Sequence, residues 1–383
     1  MKTDTQCVHS GSYIEKTTGG INTPIFTSSA YNYLNRDETP YPRYFNTVNQ
    51  DVVVKKICAL EDAEDGVLFS SGMAAMSTSI LAFAGAGDHV VLMDELYGGT
   101  HAFVTDTFER LGIGYAFAGT SGDAIAAAIT DRTRVIVIES PTNPLLTVID
   151  IGKVAEIAQS RGVTTIIDNT FATPVNQKPL KLGIDIVVHS GTKYMGGHSD
   201  LCCGVAVTSR ANARHIRHLA RHLGGSLNAT TCYLLERSLK TLALRVACQT
   251  RNARLIAEFL AQRPNVSRVN YPGLPNSPGH AIAQSQMTGF GAMLSFELDS
   301  GPTRTETFLQ HLELVRPAVS LGGVETTICS PAVTSHAKMS PEERKRIGVT
   351  DSLLRLSVGI EHIDDLIEDL DRALKQAASI NPG

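Results

Sequence analysis

The chain reads as an α/β protein, with a large domain on a mostly parallel sheet followed by a smaller C-terminal α+β domain. Three observations predict this. Apolar runs of strand length recur, they are continuous and β-branched rather than alternating, and helix-like segments lie between several of them. Continuous apolar strands are those covered on both faces, and strand–helix alternation is what parallel crossovers require.

The arm 1–48 comes first. It is rich in Thr, Ser, Asn, Tyr and Pro and has little periodicity, so it is expected to pack on a neighbouring subunit. Within 49–240 the expected strands are Val67–Phe69, Val90–Met93, Val135–Ile138, Val163–Ile167, Ile186–Val188 and Val205–Val207. Val154, Ile157 and Ala158 share one helical face, and Gly162 stands where that helix would be capped. Within 241–383 the pattern changes. One long helix is expected over roughly 235–262, then strands at Ala292–Phe296 and Leu353–Ser357. A closing amphipathic helix carries Ile363, Leu366, Ile367, Leu370 and Leu374 on one stripe.

Bulk properties narrow the function. The 383 residues are 43% hydrophobic and 19% charged, as in ordinary globular proteins. A formal net charge of −4 gives no electrostatic case for nucleic acid or an anionic membrane. No apolar run is long enough to span a bilayer, and the N-terminus lacks the apolar stretch of a signal peptide, so a cytoplasmic protein is expected. The seven cysteines are scattered and never form a CxxC pair, which suits buried thiols and no metal site. Cys202 and Cys203, adjacent in an expected strand, point to opposite faces. His198-Ser199-Asp200 holds triad residue types, but adjacency in sequence does not make a triad.

In open α/β sheets, ligands bind beyond the carboxyl ends of the strands. Lys193 lies in such a place, in Ser190-Gly191-Thr192-Lys193-Tyr194-Met195-Gly196-Gly197-His198, just past Ile186–Val188. An amine there can form a Schiff base with an aldehyde while the hydroxyls of Ser190 and Thr192 bind a phosphate, and pyridoxal phosphate carries both groups. A surface lysine in a Gly-rich loop is the alternative. Ser70-Ser71-Gly72-Met73 follows a strand and opens a helix, where N–H groups and the helix dipole favour a phosphate, or where an ordinary N-cap sits. Asp168 ends a strand and could pair with a pyridinium N–H, or serve only as a turn residue. Asn143, before Pro144, could bind a cofactor oxygen or a substrate carboxylate, or make a plain turn. Tyr97, followed by Gly98-Gly99, could lay its ring on a cofactor face, or serve only as a turn residue. Arg355 sits in the apolar strand Leu353–Val358, where a guanidinium needs a partner: a substrate α-carboxylate, or a buried structural ion pair.

Together these segments resemble the trans-sulfuration family of pyridoxal-phosphate enzymes of cysteine and methionine metabolism. The likeness runs from Val8-His9-Ser10-Gly11 to the final helix and is most specific in Ser190–Asp200, in Ser320-Leu321-Gly322-Gly323-Val324-Glu325 and in Leu354-Arg355-Leu356-Ser357-Val358-Gly359. It implies fold type I with a seven-stranded sheet, pyridoxal 5′-phosphate as cofactor, and a homotetramer built from two dimers. It implies that Lys193 holds the cofactor and moves protons, Asp168 pairs with the pyridinium nitrogen, and Tyr97 stacks on the ring. Gly72, Met73, Ser190 and Thr192 would bind the phosphate, with Tyr41 and Arg43 reaching the phosphate of a neighbouring subunit. Arg355, Asn143 and Ser320 would bind the substrate α-carboxylate, and Glu325 the distal amino group. Among the members, the cystathionine γ-lyase and γ-synthase types are nearest. Methionine γ-lyases usually carry a cysteine where this chain has Gly99. Enterobacterial β-lyases place tryptophan where it has Leu321, and sulfhydrylases are generally longer.

Overall fold

The β-branched runs form strands because they fill the middle of a layered sandwich. The computed structural model describes residues 1–35, 37–299, 301–334, 337 and 341–379. Met1–Glu139 with Asp150–Ala243 form one compact unit, and Ser140–Ile149 with the chain from Leu244 form a second.

The first unit is built on seven strands: β1 (Asp65–Phe69), β2 (His89–Met93), β3 (Gly114–Ala118), β4 (Thr133–Glu139), β5 (Thr164–Asp168), β6 (Ile186–His189) and β7 (Gly204–Thr208). They lie in the order β1-β7-β6-β5-β4-β2-β3. β7 runs against both its neighbours, and the other pairs are parallel. Val135–Ile138 and Ile166–Ile167 are fully buried, at about 1.5–3 kcal/mol for each aliphatic side chain removed from water. β3 had no counterpart among the expected strands. It is an edge strand, its first residues are exposed, and Gly114-Tyr115-Ala116-Phe117-Ala118 offers no continuous aliphatic run. The helix Ile151–Arg161 starts where Asp150 accepts the Lys153 N–H and ends at Gly162 in the left-handed conformation, φ 63°.

The second unit holds β8 (Val266–Asn270), β9 (Met293–Leu298), β10 (Arg316–Pro317), β11 (Thr327–Cys329) and β12 (Leu353–Ser357), ordered β10-β11-β12-β9-β8. Phe296 and Leu354 from the sheet meet Leu366, Leu370 and Leu374 of the closing helix Ile363–Ala378 in one core. The single helix expected over 235–262 is two, Ala229–Leu239 and Leu242–Leu260. The Lys240 N–H donates to the Arg237 carbonyl and the Thr241 N–H to the Ser238 carbonyl, tight turns that end the first helix, and the Thr241 hydroxyl also donates to the Ser238 carbonyl.

Candidate active site

Because β1, β2, β4, β5 and β6 share a direction, their carboxyl ends reach one edge of the sheet. That edge receives Ser70–Gly72, Tyr97, Glu139, Asp168 and Ser190–Lys193 in turn. Glu139 and Asp168 stand side by side in register, and Asp168 stands beside Val188.

Two glycines bring the first turn of the helix Gly72–Phe83 onto this edge. A Cβ on Gly72 would lie 2.7 Å from the Ser190 Cβ, and one on Gly204 only 2.1 Å from the Ser71 carbonyl oxygen. Ser71 caps the helix by accepting the Ala74 N–H at 3.0 Å. The N–H groups of Gly72 and Met73, at the first helical positions, have no intrahelical acceptor. With the adjacent Ser190 hydroxyl they form a cradle of donors suited to a phosphate. Thr192 is engaged differently. Its hydroxyl donates to the Cys203 carbonyl at 3.2 Å and accepts the Cys203 N–H at 3.0 Å, which ties the lysine loop to β7.

Lys193 is half-buried in a turn closed by its N–H to the Ser190 carbonyl at 3.1 Å and by Gly197 N–H to its own carbonyl at 2.7 Å. Asp168 accepts the Thr170 N–H at 3.0 Å and the Thr170 hydroxyl at 2.5 Å, both on Oδ1. Oδ2 is left to accept from elsewhere. Loss of hydration pushes the Asp168 carboxyl above the ordinary range, outweighing Thr170, His189 and Lys193, which act the other way. The Thr170 hydroxyl also accepts the Ser190 N–H at 2.8 Å, linking the acid to the phosphate cradle. Sequence reasoning missed Thr170, although a hydroxyl two residues past a strand-end acid is a readable signal. It also missed Glu139, a buried carboxylate that accepts the Tyr97 N–H at 2.8 Å and fixes the start of the helix Gly98–Leu111. The Tyr97 ring is 44% exposed and lies over Gly99, where a Cβ would be 2.4 Å from its Cε1.

Tyr41 and Arg43 are not brought to this edge within one chain. Both are exposed around the short turn Pro42–Tyr44. Arg43 donates to the Arg221 carbonyl at 2.5 Å and lies against the Tyr41 and Tyr44 rings.

In the second unit Arg355 is 5% exposed on β12. It donates to Asn143 Oδ1 at 2.8 Å and to the Ser320 carbonyl at 3.3 Å, while its Nε has no partner. No carboxylate pairs with it among the described residues, so the buried ion pair allowed by the sequence is not what holds it. Ser320 adopts φ 75°, a strained conformation that aims its carbonyl at the guanidinium. The loop from Gly322 to Thr326 is pinned by Ser357, which accepts the Gly322 N–H at 2.8 Å, and by Glu361, which accepts the Thr326 hydroxyl at 2.8 Å. Glu325 sits half-buried in it.

The two distractors are resolved. His198 Nδ1 faces the Gly196 carbonyl at 2.7 Å and the Ser238 hydroxyl at 3.3 Å, with no triad geometry. Cys202 is exposed and Cys203 buried. Among the described residues no group of three or more His, Cys, Asp or Glu could hold a metal, and no helix is long and apolar enough to cross a membrane.

The residues on the sheet edge fit pyridoxal phosphate. A half-buried carboxylate has one oxygen left to accept, the donors beside Gly72 and Ser190 suit an anion, and an amine follows in the same loop. Comparison with known proteins agrees. The family model described as "Cys/Met metabolism PLP-dependent enzyme" matches residues 4–375. A cystathionine gamma-lyase of Bacillus subtilis (strain 168) is 43% identical over 379 residues, covering 98% of this chain and 100% of that one. A cystathionine beta-lyase of Coxiella burnetii is 41% identical over 377 residues, covering 97% of each. The crystal structure of cystathionine gamma-lyase from Lactobacillus plantarum, complexed with L-serine, superposes with a TM-score of 0.95 at 39% identity, covering 99% of this chain and 100% of that one.

Proposed function

The chain belongs to the Cys/Met metabolism family of PLP-dependent enzymes, and from that premise we propose that it performs γ-elimination or γ-replacement on cystathionine-type amino acids. Bound pyridoxal phosphate supplies the electron sink, a protonated ring that accepts the electron pair left at the substrate Cα. Asp168 would keep that ring protonated by accepting its N–H, with Thr170 holding Oδ1 in place. The N–H groups of Gly72 and Met73 and the Ser190 hydroxyl bind the phosphate, while Thr192 fixes the loop. Tyr97 covers the ring face. Tyr41 and Arg43, exposed in a single chain, reach the phosphate of a neighbouring subunit in a homotetramer of two dimers.

Arg355, with Asn143 and Ser320, takes the substrate α-carboxylate. The observation that carries this is the buried guanidinium with an unpartnered Nε and, among the described residues, no acid paired with it. A planar carboxylate satisfies such a fork, and leaving a buried charge unpaired is costly. Losing a γ-substituent takes two successive proton removals, first from Cα and then from Cβ. One mobile amine, Lys193, serves both. Glu325 receives the distal ammonium of cystathionine. This is a soluble cytoplasmic enzyme with no role for nucleic acid or membrane.

The 43% identical relative named a γ-lyase supports γ-elimination, as do Leu321 and Glu325. The 41% identical relative named a β-lyase favours a second reading, β-elimination. The keto acid released from L-cystathionine by cofactor-loaded protein decides between them. 2-Oxobutyrate with cysteine is the expected result. Pyruvate with homocysteine establishes β-elimination. Neither keto acid points to a synthase or sulfhydrylase that needs an acylated homoserine and a second nucleophile. Methionine is disfavoured as main substrate by Gly99, and release of methanethiol from it at a higher rate than cleavage of cystathionine overturns that expectation.

A further inference from the structure

Behind Asp168 lies a buried pair of ionisable groups with no part in the chemistry described above. Glu61 ends the helix Val48–Glu61 and is fully buried, and His189 ends β6 with 1% of its surface exposed. His189 Nε2 and Glu61 Oε1 are 2.6 Å apart. The same oxygen accepts the Asn169 amide at 3.0 Å, while Glu61 Oε2 has no partner. Asn169 is further held by Gln177, whose amide donates to its Oδ1 at 2.9 Å, and by its own N–H to the Val188 carbonyl at 2.9 Å.

The pair and the cofactor acid are therefore stitched together along three consecutive residues. Asp168 faces the cofactor edge, Asn169 holds Glu61, and Thr170 spans from Asp168 Oδ1 to the N–H of Ser190, the residue after His189. A carboxylate this deeply buried needs a cation, and His189 is the group in contact to supply it. His189 also acts on Asp168 in the direction that favours its charged form. The contact with Glu61 fixes the His189 ring beside Asp168, and Asn169 carries the same contact to the chain next to the acid.

We propose that Glu61 and His189 form a positioning pair for the cofactor's ring nitrogen, orienting Asp168 through Asn169 and supporting its negative charge. The pair touches neither substrate nor reacting atoms and acts through Asp168 alone.

The test uses the purified full-length protein and Glu61→Gln, which keeps shape and an acceptor for Asn169 but replaces the carboxylate that faces His189. Each is loaded with pyridoxal phosphate or with its 1-deaza analogue, in which a C–H replaces the ring nitrogen. The rate of cofactor release and the visible absorption band are then recorded. With pyridoxal phosphate, Glu61→Gln is expected to release cofactor at least about tenfold faster, with a shifted visible band. With the 1-deaza analogue, which offers Asp168 no ring N–H, the two proteins should release at equal rates. Equal weakening with both cofactors, or no change with either, overturns the proposal and leaves the pair a purely structural contact. His189→Gln should reproduce the pattern. Failure of both variants to fold also overturns it, because the pair then serves folding alone.

Discussion

Asp168 and Arg355 are opposite cases of one problem. Asp168 is a half-buried carboxyl with no ion-pair partner among the described residues, and loss of hydration weakens its acidity. Arg355 is a buried guanidinium with no acid partner among the described residues and an idle Nε. A protein selected for stability alone would pair or replace both, since buried unpaired charge is among the costlier features of a fold. Neighbours prepare each group without neutralising it. Thr170 occupies one oxygen of the acid, and Asn143 and Ser320 take two donors of the cation. The acid belongs to the first unit and the cation to the second; the proposed function gives the acid to the cofactor and the cation to the substrate.

The comparison can be broken by removing one side at a time. The largest effect is expected from Lys193→Ala, which should abolish the visible cofactor absorption and all turnover. Retained turnover would sink the assignment of the amine. Asp168→Asn should come next. Losing a charge from a buried pair costs about 3–5 kcal/mol, hence a hundredfold or greater loss of kcat with a changed cofactor band. The same variant carries a pH signature. Burial raises the Asp168 carboxyl in the folded state, so protein stripped of cofactor should lose stability as pH climbs from the ordinary carboxylate range through that raised value. Denaturant midpoints across pH should lose this slope in Asp168→Asn. Thr170→Val should cost about 1–2 kcal/mol, seen as roughly 5–30-fold faster cofactor release. An unchanged release rate would leave Thr170 without a role.

The smallest effect concerns cysteine reactivity. Burial pushes the Cys58 and Cys232 thiols up to about 12 and raises Cys203 as well. Thiolate forms only as pH rises through such values, so at pH 8 these three should resist alkylation in the native protein. Peptide mapping should find Cys202, the exposed one, labelled first.

What could be read from the sequence follows the same division. Strands and strand-end residues are local features. Val135–Ile138 announces a doubly covered strand by composition, and Asp168 and Lys193 stand at the ends of such runs. The edge strand β3 gives no such signal, because only part of it is covered. The break at Lys240 and Thr241 is likewise hidden, since good helix formers continue on both sides. Contacts between distant positions are the least accessible. Nothing near Glu61 points to His189, 128 positions away, or to Asn169, 108 away. Arg355 is intermediate. Its strand was readable, but the choice between ion pair and substrate anchor needed the absence of an acid beside it.

The most direct test of the division between cofactor acid and substrate cation is a titration of cofactor-loaded wild type and Arg355→Leu with L-alanine, an amino acid lacking any γ-substituent, followed by the visible cofactor band. The resting spectra should coincide, and half-saturation should rise by about a hundredfold or more in the variant, as expected for losing the partner of a buried charge. Equal half-saturation in the two proteins, or a changed resting spectrum in Arg355→Leu, would contradict the assignment of Arg355 to the substrate and not the cofactor.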